Sequence, residues 1–476
     1  MDLAIVVTVA QILGIISSIS ALLTTRTSQG AIAWIVSLNT FPYLAVPAYW
    51  IFGRSRFNGY VESRKSVDRQ LQYHVQEIRE AITAHLFRND QTRQEQGRLD
   101  AVERIARIPF TRDNEIEVYN SGSEAYSRMF EEIQRAERYV LVQFYIVRAD
   151  TLGREFQQLL LACRARGVHV YFLYDEIGSY QLPRSYIKTL RQGGVHIYPF
   201  GSRRGKRNRF QINFRNHRKV VVIDGITGFL GGLNMGDEYR GDSPRFGPWR
   251  DAHMMLRGPA VVGLQLPFVE DWHWATDQFI EVEWRAWQSA APRNGHVALV
   301  LPSGPADEVE TASLMVQHAI HSAKTRLWIA SPYFVPDEAV QDALKLAVLR
   351  GVDVRILIPD RPDHMLVYFS AFAFLGPMIS AGIKIYRYLP GFLHQKVFLM
   401  DEIVTGIGTV NIDNRSFRLN FELTAIILGE RIALSTERMF LRDFEESREM
   451  TEHDILQMPL VLRLASRLAY LLAPIL

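Results

Sequence analysis

Two stretches of the chain repeat one pattern of reactive residues. NHRKVVVIDG holds His217, Lys219 and Asp224, LHQKVFLMDE holds His394, Lys396 and Asp401, and both have the form His-x-Lys-x4-Asp. A small-residue turn ending in Asn follows each, GGLN to Asn234 and GTVN to Asn411. Apolar and β-branched residues follow each Lys, which predicts a buried strand. Side chains alternate along a strand, so His217 shares a face with Lys219, and His394 with Lys396. Asp224 and Asp401 have the opposite parity; with Asp224 at a turn before Gly225, these carboxylates read as supports of the motif rather than reactants. Two such units brought together give a pocket with two imidazoles, two ammoniums and two amides, a set suited to a phosphodiester. One imidazole attacks phosphorus, and the other protonates the departing oxygen and then deprotonates an incoming alcohol. The lysines balance charge on the equatorial oxygens, and the asparagines donate hydrogen bonds to them. This chemistry requires no metal and no cofactor.

Composition bounds the rest. At 476 residues and 48% hydrophobic content the chain has apolar mass for two or three domains. A net charge of +3 gives no sign of a nucleic-acid partner. The basic residues are instead concentrated, with Arg203, Arg204, Lys206, Arg207, Arg209, Arg215, Arg218 and Lys219 running without an acid into the first motif. Such a run forms a solvated loop or attracts anionic lipid headgroups. The single cysteine, Cys163, excludes an intrachain disulfide or a cysteine metal cluster and reads as core of an apolar helical run.

The elements that position the motifs follow in chain order. Residues 3–23 and 31–53 carry no charge and are each long enough to span a bilayer, so residues 1–60 read as a transmembrane hairpin. Asn39, Pro42 and Pro47 in the second stretch fit either tolerated kinks or a re-entrant segment. Arg54, Arg56, Arg64 and Lys65 follow the second stretch while the connecting loop offers Arg26, which predicts a cytoplasmic catalytic part. Residues 61–107 form a charged helical linker, for which spacer, membrane-surface helix and homo-oligomer contact all stay open. From 108 strands and helices alternate, and from 291 they do so again: RYVLVQFYIV matches RLWIASPYFV, GVHVYFLYDE matches GVDVRILIPD, and Gly167 answers Gly351 as His217 answers His394. Alternation of this kind predicts an α/β fold with helices on both faces of a sheet. Two repeats, 108–290 and 291–455, make a pseudo-dimer with the site between them. The apolar stretch 365–382 is a buried crossover helix or a lipid-facing wall through Phe369, Phe372 and Phe374. Residues 456–476 place Arg463 and Arg467 between leucine faces, as an interfacial amphipathic helix does.

The paired motifs resemble the HKD motifs of the phospholipase D superfamily. The flanking text NFRNHRKVVVIDG, GGLNMGDEY, WRDAHMMLRGPAV and GTVNIDNRSFRLNFEL is similar in particular to bacterial cardiolipin synthases. The resemblance implies two phospholipase D-like sandwich repeats and transfer of a phosphatidyl group from one phosphatidylglycerol to another at the bacterial inner membrane. It also implies that His217 is the nucleophile and His394 the general acid and base. In the family, acids downstream of each motif orient the histidines, and the matching positions here are Asp251 and Glu422.

Overall fold

The computed structural model describes residues 3–53, 56–88, 93–201, 213–243, 245–289, 292 and 295–476. The chain begins with an uncharged helix of 22 residues, Leu3–Thr24 (α1). The second apolar stretch is not one helix: it divides into Ser28–Thr40 (α2) and Pro42–Phe52 (α3). Pro42 has no N–H to donate back into α2 and disfavours helical backbone at Phe41, so α2 ends there and α3 starts on the proline. α2 runs back along α1, so closely that a Cβ on Gly14 would lie 2.4 Å from Leu38 O. α3 then reverses again. Trp34 of α2 stands edge-on to Tyr49 of α3 at 5.2 Å, and the Tyr49 hydroxyl donates to Ser20 Oγ at 2.9 Å. The end of α3 thus returns to the level of the end of α1, and both ends of the stretch meet the catalytic body. Arg26 pairs with Glu310, and Phe57 N–H donates to Pro305 C=O at 3.0 Å.

The charged linker forms two helices, Asn58–Thr83 (α4) and Arg93–Ala106 (α5). The start of α4 is docked between the repeats: Phe57 and Tyr60 are buried among Phe200, Phe214, Trp274 and Phe421. Arg64 bridges Glu270 of the first repeat and Asp307 of the second, at 3.2 and 3.0 Å. α5 buries Val102 and Ala106 in the core of the second repeat.

The first repeat supplies Thr111–Tyr119 (β1), Tyr139–Phe144 (β2), His169–Asp175 (β3), His196–Phe200 (β4), Val220–Ile223 (β5), Thr227–Gly231 (β6) and His253–Arg257 (β7). The second supplies His296–Ser303 (β8), Arg326–Ala330 (β9), Asp353–Pro359 (β10), Lys384–Tyr388 (β11), Val397–Met400 (β12), Val404–Gly408 (β13) and Asn420–Leu428 (β14). They form one continuous sheet in the order β11-β10-β9-β12-β13-β14-β8-β1-β7-β6-β5-β2-β3-β4. Outward from the antiparallel β1–β8 pair, both halves read in the same order, so a pseudo-twofold axis passes between these strands. Helices cover both faces, which is why β2 and β5 are buried along their whole length. On one face each repeat has its own core, around Met129, Phe156 and Phe172 in the first and around Met315, Leu344 and Leu375 in the second. The opposite face is shared, with Leu141, Val222, Trp272, Trp328, Leu399 and Phe440 in one cluster.

The apolar stretch after β10 is the helix Met365–Ser380 (α6), with Phe372 and Phe374 buried and Phe369 partly so. A crossover role therefore accounts for most of it. Against it packs Leu460–Tyr470 (α7), through Ser466, Ala469 and a Phe374–Tyr470 contact at 5.4 Å. α7 turns its leucines outward: Val461, Leu464 and Leu468 are each more than half exposed.

Candidate active site

His217 precedes β5 and His394 precedes β12, and each is delivered by a short strand that pairs with the other repeat. Arg215–Asn216 lies parallel to the start of β14, with Asn420 opposite Arg215 and Phe421 opposite Asn216. The next residue along, His217, therefore meets Glu422. In the same register Phe392–Leu393 lies parallel to Trp249–Arg250, which brings His394 to Asp251. The observed bonds follow: His217 Nδ1 lies 2.8 and 3.0 Å from the Glu422 oxygens, and His394 Nδ1 lies 2.7 Å from Asp251 Oδ2. The carboxylate downstream of each motif thus serves the histidine of the opposite motif. Backbone bonds fix the crossing, from His217 N–H to Phe421 C=O at 2.9 Å and from His394 N–H to Arg250 C=O at 2.7 Å.

Each carboxylate has a further donor two residues upstream on the same face. Trp249 Nε1 donates to Asp251 at 3.3 Å and Asn420 Nδ2 to Glu422 at 3.1 Å. Burial alone raises a carboxyl pKa, but the facing histidine and the motif lysines outweigh it and hold Asp251 and Glu422 below their ordinary values. Burial pulls both histidines down to about 4. Glu422 opposes this at His217, while Lys396 reinforces it at His394 ahead of the opposing Asp251. Both rings are neutral near pH 7, with Nε2 as the nitrogen left to react.

Lys219 and Lys396 are buried, and each ammonium donates to the carbonyl of its own motif histidine, at 2.7 and 2.5 Å. Burial lowers Lys219 well below its ordinary pKa and Lys396 to about 8, against the pull of Glu422 and Asp251. Each histidine feels the lysine of the other motif as well as its own, so the two motifs share one electrostatic pocket.

The motif aspartates stand elsewhere. Asp224 and Asp401 lie at the far ends of β5 and β12, about 23 Å along the strand from the histidines at ~3.3 Å per residue, both with φ near +54°. Asp224 accepts from the N–H groups of Glu137, Arg138 and Tyr139 at 2.8–2.9 Å. Asp401 accepts from Lys324, Thr325 and Arg326 at 2.8–3.2 Å. They pin the starts of β2 and β9, at the opposite end of each motif strand from its histidine.

The two asparagines differ. Asn234 Oδ1 accepts from Ile146 N–H at 3.0 Å, and its amide also bonds the Tyr239 hydroxyl. Asn411 Oδ1 is buried without a hydrogen-bond partner. The sequence reading missed Tyr145, whose ring meets His217 edge-on at 5.0 Å and lies 5.5 Å from the Lys219 ammonium. The matching tyrosines in QFYIV and SPYFV, Tyr145 and Tyr333, carried that signal. It also credited two internal cations to the basic run: Arg215 pairs with buried Asp175 at 3.2 Å and Arg218 with buried Asp271 at 2.8 Å. Arg203, Arg204, Lys206, Arg207 and Arg209 lie outside the described residues. Among the described residues no cluster of His, Cys, Asp and Glu has the form of a metal site.

A duplicated α/β unit with paired His-x-Lys strands across a pseudo-twofold is the architecture of the phospholipase D class, and comparisons agree. The family described as "Cardiolipin synthase, PLD-like domain" matches residues 129–239 and 316–444. The chain belongs to this family. It is 46% identical over 471 residues to cardiolipin synthase A of Pseudomonas putida, covering 98% of this chain and 96% of the relative. To cardiolipin synthase A of Pseudomonas aeruginosa strain UCBPP-PA14 it is 48% identical over 474 residues, covering 98% and 94%. The phosphatidylserine synthase of Haemophilus influenzae Rd KW20 shares the fold at TM-score 0.59 and 16% identity, over 80% of this chain and all of that one.

Proposed function

We propose that the protein is a membrane-bound cardiolipin synthase that joins two phosphatidylglycerol molecules and releases glycerol. The observation that carries this reading is the crossed pair of carboxylate-held, neutral imidazoles in one lysine-walled pocket. His217 Nε2 attacks the phosphorus of the first phosphatidylglycerol, breaking its bond to the headgroup glycerol oxygen and forming a phosphatidyl-imidazole. His394 takes up a proton from solvent as the anionic phosphodiester binds beside it and gives that proton to the departing oxygen, and glycerol leaves. The neutral His394 then takes the proton of a second phosphatidylglycerol hydroxyl as its oxygen attacks phosphorus and frees His217. Glu422 and Asp251 hold each ring through Nδ1 so that Nε2 faces the phosphoryl group and the imidazolium is stabilised as it forms. Lys219 and Lys396 offset charge on the equatorial oxygens, and the Nδ2 groups of Asn234 and Asn411 donate hydrogen bonds to them. Asp224 and Asp401 act through strand position alone.

The substrates are lipids, and the surface suits them. α1 is uncharged and mostly apolar, and α7 presents a leucine face beside α6. We read the catalytic body as lying on the cytoplasmic face of the bacterial inner membrane. The test is purified protein with phosphatidylglycerol alone: cardiolipin and glycerol should appear in equal amounts. Phosphatidic acid with glycerol and no cardiolipin would make the protein a hydrolase and overturn the transferase reading.

A further inference from the structure

We propose that the chain crosses the bilayer once, through α1, and that residues 28–52 enter and leave it on the side of the catalytic body. The start of α1 then lies across the membrane from the paired histidines. This rests on reading the N-terminal helices as membrane-embedded. α1 is about 33 Å long at 1.5 Å per residue, enough for a hydrocarbon core of about 30 Å. α2 and α3 together hold a span's worth of residues but do not make one, because they fold against each other. Leu38 and Pro42, at their turn, both pack on Gly14, the nearest atoms to a Cβ built there. From Gly14, α1 continues toward Leu3 for about 16 Å. The turn therefore stops near mid-membrane.

The outside of this three-helix unit is lipid-like: Ile12, Ile16, Ile19, Leu22, Ile32 and Leu44 are each more than half exposed. A turn inside hydrocarbon draws on internal partners for its polar groups, and several are in place here. Phe41 N–H donates to Ser37 C=O at 2.8 Å, and Phe41 C=O accepts from Ala45 at 2.9 Å. Asn39 Nδ2 donates to Ser18 Oγ at 2.8 Å and Ile35 C=O at 2.7 Å, Thr40 Oγ1 to Val36 C=O at 2.8 Å, and Pro42 has no N–H.

Charge points the same way. Re-entry places Arg26 with Arg56, Arg64 and Lys65 on the side of the body. A full hairpin would instead strand Arg26 on the far side, against the positive-inside bias. Arg26 is moreover already bonded to the body. It pairs with Glu310, which meets Arg418 at 3.4 Å, on the short helix Asn414–Arg418 that follows Asn411. The base of the membrane wedge thus braces the segment carrying the second motif's asparagine.

The experiment places single cysteines in the full chain, with buried Cys163 replaced by Ser: Asp2→Cys, Gln29→Cys, Phe41→Cys and Arg56→Cys. Each is treated with a membrane-impermeant maleimide in spheroplasts and in inverted vesicles, and each is checked for cardiolipin formation. Expected is labelling of position 2 from outside, of 29 and 56 from the cytoplasmic side, and of 41 from neither. Labelling of 29 from outside with 2 and 56 from inside is the pattern of a full hairpin and overturns the inference. Recovery of the protein in the soluble fraction, with 41 labelled freely, sinks the membrane reading itself and is distinct from that result.

Discussion

The crossed bonds make a prediction that an uncrossed pairing reverses. Glu422, from the second repeat, holds the histidine of the first motif, so Glu422→Gln should impair the nucleophilic step. Asp251→Asn should instead impair proton transfer by His394. Gln and Asn keep the shape and an acceptor oxygen but lose the charge. A hydrogen bond to a charged group contributes about 1.5–3 kcal/mol, and ~1.4 kcal/mol is tenfold in rate, so the affected step should slow by about 10- to 150-fold. A short-chain phosphatidyl nitrophenyl ester separates the steps, because nitrophenolate departs without a proton. Its burst reports formation of the covalent intermediate alone, and mass spectrometry locates the adduct. Glu422→Gln should slow the burst, with the adduct on His217. Asp251→Asn should leave the burst within about threefold while cutting turnover of phosphatidylglycerol by the full factor. A burst slowed by Asp251→Asn, with the adduct still on His217, refutes the crossing. The same kinetics with the adduct on His394 keeps the crossing and exchanges the two histidines' roles.

Other consequences are as direct. His394→Ala should abolish cardiolipin formation yet still give an adduct on His217 from the nitrophenyl ester, whereas His217→Ala should give none; mass spectrometry of the two variants decides. Lys396 sits at a pKa of about 8, below its ordinary 10.5, so it is charged below pH 8 and loses its proton above. Affinity for inorganic phosphate, measured by calorimetry, should therefore fall as pH rises past about 8, and a constant affinity from pH 7 to 9.5 would contradict that assignment. Asp224→Ala removes three backbone hydrogen bonds worth about 1 kcal/mol each, so it should lower the melting temperature while leaving kcat within about threefold below it; an unchanged melting temperature with lost activity would place Asp224 in the chemistry. Leu464→Glu with Leu468→Glu, on the exposed face of α7, should reduce activity on vesicles more than on soluble short-chain lipid, and equal loss on both would mean a packing role.

The repeat, the α/β class and the two His-x-Lys strands were legible because period-two alternation and a duplicated pattern survive in a single sequence. Parity along the strand was enough to set Asp224 and Asp401 apart. Which carboxylate serves which histidine was not legible. It depends on Arg215–Asn216 pairing with β14 and Phe392–Leu393 with Trp249–Arg250, and such contacts between distant residues leave no local periodicity. The basic run misled in part for a similar reason. Arg215 and Arg218 look like surface cations until the fold sets Asp175 and Asp271 beside them. The second apolar stretch shows the limit of composition: hydropathy counts residues 31–53 as one span, and the break at Phe41–Pro42 gains its meaning from Gly14, which lets α2 and the turn close on α1.

A site with pseudo-twofold symmetry that runs an asymmetric reaction needs its asymmetry built in locally, and the structure has several places for it. Both rings also rest on aromatic neighbours, Tyr145 at 5.0 Å for His217 and Trp249 at 5.2 Å for His394, but His217 is met by both oxygens of its carboxylate, as suits a nucleophile that must stay aligned through attack and release. His394 is bonded to one oxygen of Asp251, whose same oxygen also accepts from Trp249, a setting in which an imidazolium can form and be discharged. Asn234 is engaged by Ile146 and Tyr239, whereas Asn411 keeps its amide oxygen unpartnered beside a helix clamped at Arg415 and Arg418. Arg415 N–H donates to Leu476 C=O at 2.8 Å, and its guanidinium reaches Asn213 C=O at 2.6 Å on the approach to the first motif. The last residue of the chain, the second motif's asparagine segment and the entry to the first motif are therefore tied together at one residue. Loosening that tie with Arg415→Lys should raise the KM for phosphatidylglycerol, because a lysine keeps the backbone bond to Leu476 but cannot hold Asn213 and Ile475 C=O together as the guanidinium does, while the burst on the nitrophenyl ester at saturating concentration stays within about threefold. A burst lost in proportion to turnover would place Arg415 in the chemical step instead.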